Sequence, residues 1–225
     1  MEQSVTHQFH EELQRLKETL LRMSGMVEQA ISMSVHSLLD RDESLARKVI
    51  ESDHDIDMLE IEIDEECLKL LALHQPVAID LRFITSAMKI NGELERMGDL
   101  AVNIAERCLY LIRQPEINAG IDLKQMSDFA QKMVRDSLDA LVRADSQEAR
   151  AICKSDDIID DMNRQALKAL VAHMEQHPAD VNRAVHLILI TRHLERIGDQ
   201  ATNVCEEIVF MVEGKTIKHR VEEYR

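Results

Sequence analysis

Tryptophan is absent from the 225-residue chain, and two tyrosines and four phenylalanines are all the aromatic residues it has. Six glycines and three prolines leave few places to turn, too few for a sandwich or barrel of many short strands. Basic charge is also scarce: 27 Lys and Arg stand against 42 Asp and Glu, a formal net charge of −15. That balance excludes a nucleic-acid binder, which needs basic surface to displace phosphate counterions, and adhesion to anionic lipid by charge. It suits a host for cations or for a basic partner surface. The longest apolar runs, such as Ile208 to Val212, fall far short of the roughly 20 residues of a membrane span. The segment Met1 to His10 is polar and lacks the apolar centre of a signal peptide. Cys67, Cys108, Cys153 and Cys205 stand singly with no CxxC spacing, which reads as buried thiols of a cytoplasmic protein.

What is abundant is Leu, Ile, Met, Ala, Glu and Arg, all good helix formers. Phe9, Leu13, Leu16, Leu20, Met23, Val27 and Ile31 recur at three- and four-residue steps, the stripe of a long amphipathic helix. The same reasoning places six helices near 6–40, 43–74, 77–113, 122–144, 146–176 and 179–213. Pro76 and Pro178 break the pattern because proline lacks the amide hydrogen of a helix interior. Pro115, Asn118 and Gly120 mark the central break, and Asp40–Ser44 and Asp145–Ser146 carry capping residues.

The chain repeats itself at an offset of 100 residues. Glu93-Leu-Glu-Arg-Met-Gly-Asp-Leu-Ala-Val-Asn103 matches His193-Leu-Glu-Arg-Ile-Gly-Asp-Gln-Ala-Thr-Asn203. The helix before each shares Ser52-Asp-His-Asp-Ile-Asp57 and Ser155-Asp-Asp-Ile-Ile-Asp160. The expectation is an all-α protein of two tandem, pseudo-symmetric, antiparallel three-helix bundles, residues 1–115 and 116–225.

Four segments carry acids four residues apart: Asp53 and Asp57, Glu95 and Asp99, Asp156 and Asp160, Glu195 and Asp199. At about 100° per residue each pair shares one side of its helix, where like charges repel. Helical-wheel placement sets Glu95, Asp99, Asn103 and Glu106 apart from the seam Ile90, Leu94, Met97, Ala101, Ile104, Cys108 and Leu111. In the preceding helix, Asp53, Asp57, Glu60 and Asp64 flank the seam formed by Ile56, Leu59, Ile63 and Leu70. Residues 51–66 hold nine acids and no Lys or Arg. If neighbouring helices bring these stripes together, each repeat has one acidic groove suited to hard cations, since a carboxylate can bridge two ions. The competing reading is a solvated face on which Arg96 and Arg196 pair with the acids. Gly98 and Gly198, costly inside helices, call for close helix packing.

No phosphate-cradling glycine loop occurs, nor the zinc-protease HExxH pattern. Of the Glu-x-x-His pairs a di-iron bundle needs, only Glu51-Ser-Asp-His54 is present. His36, His74, His173, His186 and His193 read as surface or capping residues, the methionines as core filler, and no nucleophile–base pair stands out.

Across nearly its whole length the sequence resembles the PhoU family of phosphate-uptake regulators. The resemblance rests on Phe9-His-Glu-Glu-Leu13, Met23-Ser-Gly-Met-Val-Glu28, Ala46-Arg-Lys-Val-Ile-Glu-Ser-Asp53 and Gln75-Pro-Val-Ala-Ile-Asp-Leu-Arg82. It also rests on the two Leu-Glu-Arg-x-Gly-Asp helices and the tail Glu213-Gly-Lys-Thr-Ile-Lys-His219. Met97 and Ser24 depart from the family's usual Ile and Gly. The resemblance implies a non-enzymatic cytoplasmic negative regulator of phosphate uptake and of the phosphate-starvation (Pho) regulon. Its implied partners are the ATPase subunit of a high-affinity phosphate ABC transporter, a membrane sensor histidine kinase and a second copy of the chain, with the membrane met only through partners. It further implies multinuclear iron or zinc bound by Asp53, Asp57, Glu95 and Asp99 and by Asp156, Asp160, Glu195 and Asp199. Asn103 and Asn203 join them by helical spacing. Two alternatives stay open: a carboxylate-bound multinuclear-metal enzyme, and an accessory of a low-affinity phosphate permease.

Overall fold

The computed structural model describes residues 2–218, with side chains from His7 onward. His219, at the end of the tail motif, lies outside the described residues. Six α-helices account for nearly all of them: α1 Glu2–Leu39, α2 Glu43–His74, α3 Ala78–Ile112, α4 Leu123–Arg143, α5 Ser146–Gln176 and α6 Val181–Glu213. A 3₁₀ turn, Pro178–Asp180, precedes α6. The last helix therefore starts two residues later than expected, because Pro178 opens the tighter turn before α-helical bonding begins.

Local chemistry sets the helix starts. Asp42 accepts a hydrogen bond from the Ser44 amide at 2.8 Å, Asp122 from Gln125 at 2.8 Å, and Asp145 from Gln147 and Glu148, each at 3.0 Å. At the far end, α6 stops at Gly214, whose φ of 69° is the left-handed conformation that glycine adopts without strain.

Helices α1, α2 and α3 form one antiparallel bundle and α4, α5 and α6 the other. The expected seams are buried: Ile56, Leu59, Ile63 and Leu70 in α2, Ile90 to Leu111 in α3, and Ile190, Leu194, Ile197, Ala201, Val204, Ile208 and Met211 in α6. The two bundles do not stand apart. α3 packs lengthwise on α6 and α1 touches α4, so the buried residues of both halves form one continuous core.

Antiparallel contacts fix the α3–α6 register. Arg82 Nε donates to the Met211 carbonyl at 3.0 Å, Lys89 meets the Glu207 carboxylate at 3.0 Å, Asn203 Nδ2 donates to Glu93 at 3.1 Å, and the rings of Tyr110 and His186 stack 4.1 Å apart. The connection between the bundles is tied down by two arginines. Arg41 donates to the carbonyls of Ile112 and Gln114, and Arg183 to that of Pro115 at 2.7 Å.

Candidate metal grooves

Each groove begins with a glycine. A β-carbon on Gly98 of α3 would sit 3.3 Å from Ile56 Cδ1 and 3.7 Å from Asp53 Oδ1 of α2. One on Gly198 of α6 would sit 2.9 Å from Ile159 Cγ2 of α5. The missing side chains let α3 and α6 close on their partner helices, and that approach draws the flanking carboxylates into common grooves. The packing expected of these glycines and the convergence of the acids are one feature.

In the first groove, Asp53, Asp57 and Glu60 of α2 face Glu95 and Asp99 of α3. Burial raises the Asp53 carboxyl above its ordinary range, and the charges of Asp57 and Asp99 push it further. Glu95 is raised by burial and then by Asp99, Asp57 and Glu60, against a smaller opposing effect of Arg96. Glu60 is raised by burial, Asp64 and Asp57. Asn91, buried in α3, donates to the Glu60 carbonyl at 2.9 Å and to Asp64 at 3.0 Å, fixing the lower end of the stripe.

The second groove is tighter. Asp160 of α5 and Glu195 and Asp199 of α6 each offer a carboxylate oxygen, and these oxygens lie within 4.8 Å of one another. Asp156 stands beside them. Burial first, and Asp199 and Asp160 next, push its carboxyl up to about 6, while a hydrogen bond from Thr202 Oγ1 at 3.3 Å works the other way. Asp199 is likewise pushed up to about 6 by burial, Glu195 and Asp160, against Arg196. Glu195 is raised by burial, Asp160 and Asp156, against Arg192 and Arg196.

Few cations answer these acids. Arg96 pairs with Glu93 at 3.3 Å and leaves Glu95 without an ion pair, and Arg164 reaches Asp160 only at 3.9 Å. Of the competing reading, the direct ion pairs of Arg96 and Arg196 with these acids are not formed among the described residues. Asp99 and Asp199 are exposed, and the charges of Arg96 and Arg196 still act on Glu95, Glu195 and Asp199. Arg15 and Arg22 pair with Glu66 and Glu62 on another side of α2.

Asn103 and Asn203 turn elsewhere. The Asn103 amide donates to the Asp99 carbonyl of its own helix at 2.7 Å, and Asn203 reaches across to Glu93 on α3. Thr202, which sequence reasoning passed over, is the polar neighbour of Asp156. Its counterpart in the first repeat is Val102, a difference visible in the aligned motifs.

The donor set of the second groove, Asp160, Glu195 and Asp199, could hold a metal ion. Carboxylates drawn close, raised by one another and left largely without basic partners are stabilised by a divalent cation, and oxygen-only ligation suits hard or borderline ions. Asp156, Asp160, Glu195 and Asp199 would hold such ions in the second groove, and Asp53, Asp57, Glu95 and Asp99 in the first.

Comparison with known proteins places these grooves in context. The PhoU domain family matches the chain twice, over residues 20–108 and 123–208. The phosphate-specific transport system accessory protein PhoU homolog of Pseudomonas putida is 39% identical, the match covering 96% of this chain and 87% of that protein. The accessory protein PhoU of Escherichia coli is 33% identical, with coverage of 96% and 89%. The crystal structure of PhoU from Pseudomonas aeruginosa superposes with a TM-score of 0.89 at 38% identity, covering 92% of this chain and all of that one.

Proposed function

The chain belongs to the PhoU family, and from that premise we propose that it is a non-enzymatic accessory that restrains phosphate uptake and phosphate-starvation signalling. The observation that carries this reading is the end-to-end likeness to proteins named as accessories of a phosphate transport system, over 96% of this chain. In this reading the chain works in the cytoplasm as a homodimer. It couples the ATPase subunit of a phosphate ABC transporter to a sensor histidine kinase and reaches the membrane only through these partners. No helix among the described residues is long and apolar enough to cross a membrane. In this reading the two repeats, residues 1–115 and 116–225, meet within the connection that Arg41 and Arg183 hold.

The grooves supply the signalling element. Carboxylates of α2 with α3, and of α5 with α6, would hold iron, zinc or another divalent ion, and the faces so stiffened would be presented to a partner. The metal would supply charge neutralisation. The protein's residues do the rest: Gly98 and Gly198 set the helix spacing, Thr202 orients Asp156, and Asn91 orients Asp64.

The test replaces Glu95 and Asp99 with alanine in the cell. A phosphate-starvation reporter is expected to stay on when phosphate is plentiful, while transport and protein level are largely kept. Normal repression with normal protein level would remove the grooves from the signalling role. Metal-dependent turnover of a phosphate ester, abolished by Asp99→Ala, would replace the accessory reading with the enzymatic one.

A further inference from the structure

The two ends of the α3–α6 seam are related by the internal repeat and carry opposite electrostatics. At one end Lys89 is neutralised by Glu207 at 3.0 Å, its ammonium also lying over the Phe210 ring, and Glu93 accepts from Asn203. The offset of 100 residues turns Lys89 into Leu189, Glu207 into Arg107, Glu93 into His193 and Phe210 into Tyr110. The acids of the first end are thus replaced by an arginine and a histidine at the second, and no new carboxylate is introduced among these positions.

The consequence is a cluster of arginines without a hydrogen-bonded acid among the described residues, in a protein of net charge −15. The charges of Arg192 and Arg196 nonetheless reach Glu195, and that of Arg196 reaches Asp199. Arg107, Arg192 and Arg196 have no hydrogen bond or ion pair among the described residues. Every other described arginine makes at least one. The charges of Arg196, Arg107 and Arg192 all bear on His193, and that of Arg107 on His186 as well. Three nitrogens here are shut off from solvent with no partner: Arg107 Nε, His186 Nδ1 and His193 Nδ1. Buried polar nitrogens almost always find a hydrogen-bond partner, the Arg107 Nε–H in particular needs an acceptor, and Tyr110 stacked on His186 holds that ring in place. Glu106 and Glu195, the acids beside these arginines in sequence, form no ion pair with them among the described residues.

We propose that this end of the seam, Arg107 on α3 with Arg192, His193 and Arg196 on α6, binds a small oxyanion of the phosphate or sulfate type. Guanidinium groups from two helices offer paired N–H donors matched to the oxygens of such an ion. The site borders the second carboxylate groove, Arg192 and Arg196 acting on Glu195 and Arg196 on Asp199, but it takes its donors from other residues and does not rest on the accessory role.

The test is calorimetric titration of the full chain, stripped of metal and kept in chelator, with inorganic phosphate, sulfate and, for ionic strength, chloride. Saturable binding of phosphate or sulfate is expected, weakened about tenfold or more (a loss of ~1.4 kcal/mol) by Arg192→Gln with Arg196→Gln, both exposed residues whose change spares the core. Arg107→Gln, checked for helix content, is expected to weaken it likewise. Asp160→Asn with Asp199→Asn, which removes negative charge beside Arg196, is expected to keep or strengthen it, never to weaken it. The proposal is overturned by chloride-like behaviour of both oxyanions, by full affinity in the arginine variants, or by binding that appears only when metal is restored. Chloride-like behaviour would make the patch a docking face for an acidic partner segment instead.

Discussion

A β-carbon placed on Gly198 would stand 2.9 Å from Cγ2 of Ile159, closer than side-chain carbons approach one another. At the matching position of the first repeat, Gly98 leaves Ile56 Cδ1 at 3.3 Å. Both isoleucines offer their branched Cγ2 and their Cδ1, but Cγ2 of Ile159 would stand at 2.9 Å where that of Ile56 stands at 3.4 Å, and a branched carbon next to the backbone cannot swing aside. The second groove is therefore closed more tightly than the first, as its carboxylate oxygens also indicate.

Alanine scanning of the helical glycines should separate propensity from packing. Gly25 and Gly92 have nothing within 4 Å of a built β-carbon, so Gly25→Ala and Gly92→Ala are expected to raise stability by about 0.5–1 kcal/mol each. Gly198→Ala is expected to lower it by about 1–3 kcal/mol as overpacking outweighs the propensity gain, with Gly98→Ala between these extremes. Urea midpoints at constant m-value give the ranking. A Gly198→Ala protein as stable as the Gly92→Ala one would refute tight closure.

The acidic groove should register as a pH-dependent cost. Asp156 and Asp199 have folded-state values near 6 against an ordinary 3.8. The folded state therefore holds more protons between those limits and loses stability as pH rises through them. The cost is absent below about pH 4 and complete above about pH 6–7, roughly 1–2 kcal/mol per group once solvent screening is allowed for. In metal-free protein, Asp156→Asn with Asp199→Asn is expected to be more stable than the parent at pH 7.5, the gap closing toward pH 4. Reading the difference removes the opposite contribution of His186 and His193, whose burial lowers them. A gap that does not vary with pH would show that the carboxylates are not in conflict.

The connection between the bundles should depend on its two arginine ties. Removing Arg41 leaves the Ile112 and Gln114 carbonyls without their donor, and removing Arg183 does the same for Pro115. Limited proteolysis is expected to cut near residues 113–122 several-fold faster in Arg41→Ala with Arg183→Ala, at little cost to overall helix content. Equal cutting rates would mean that packing of Ile117 and Ile121 on the core holds the segment unaided.

Much of this was legible before any coordinates, for a physical reason. A helix repeats every 3.6 residues, so a buried seam writes itself into the sequence, and the seam residues of α2, α3 and α6 are the ones the periodicity names. The glycine and carboxylate pairs were legible because duplication printed them twice. Relationships across helices were less so. The two grooves look alike on a helical wheel. Their difference comes from how Ile56 and Ile159 meet the glycines and from Thr202 standing where the first repeat has Val102. Arg96 lies one residue from Glu95 and three from Glu93, and only the fold shows that it turns to Glu93. His186 and His193, read as surface or capping residues, have buried ring nitrogens, because what covers them is α3, far away in the chain.

The two grooves should differ in metal capacity, and elemental analysis of protein purified without affinity tag or chelator measures this directly. The second groove brings three carboxylate oxygens within 4.8 Å of one another, with Asp156 beside them. Among the described residues, no comparable group of three occurs in the first groove. Several equivalents of iron, zinc or manganese per chain are expected. Glu195→Ala with Asp199→Ala should remove a larger share than Glu95→Ala with Asp99→Ala, and the quadruple variant should remove all of it. The closer convergence makes the second site the tighter one, so chelator titration should empty the first groove earlier. Equal losses from both pairs would mean that ion binding pulls the first groove's carboxylates into the same arrangement. Parent protein free of metal after such a purification would leave the carboxylates as docking charges for a basic partner surface, and the raised values of Asp156 and Asp199 would then be relieved by that partner's cations.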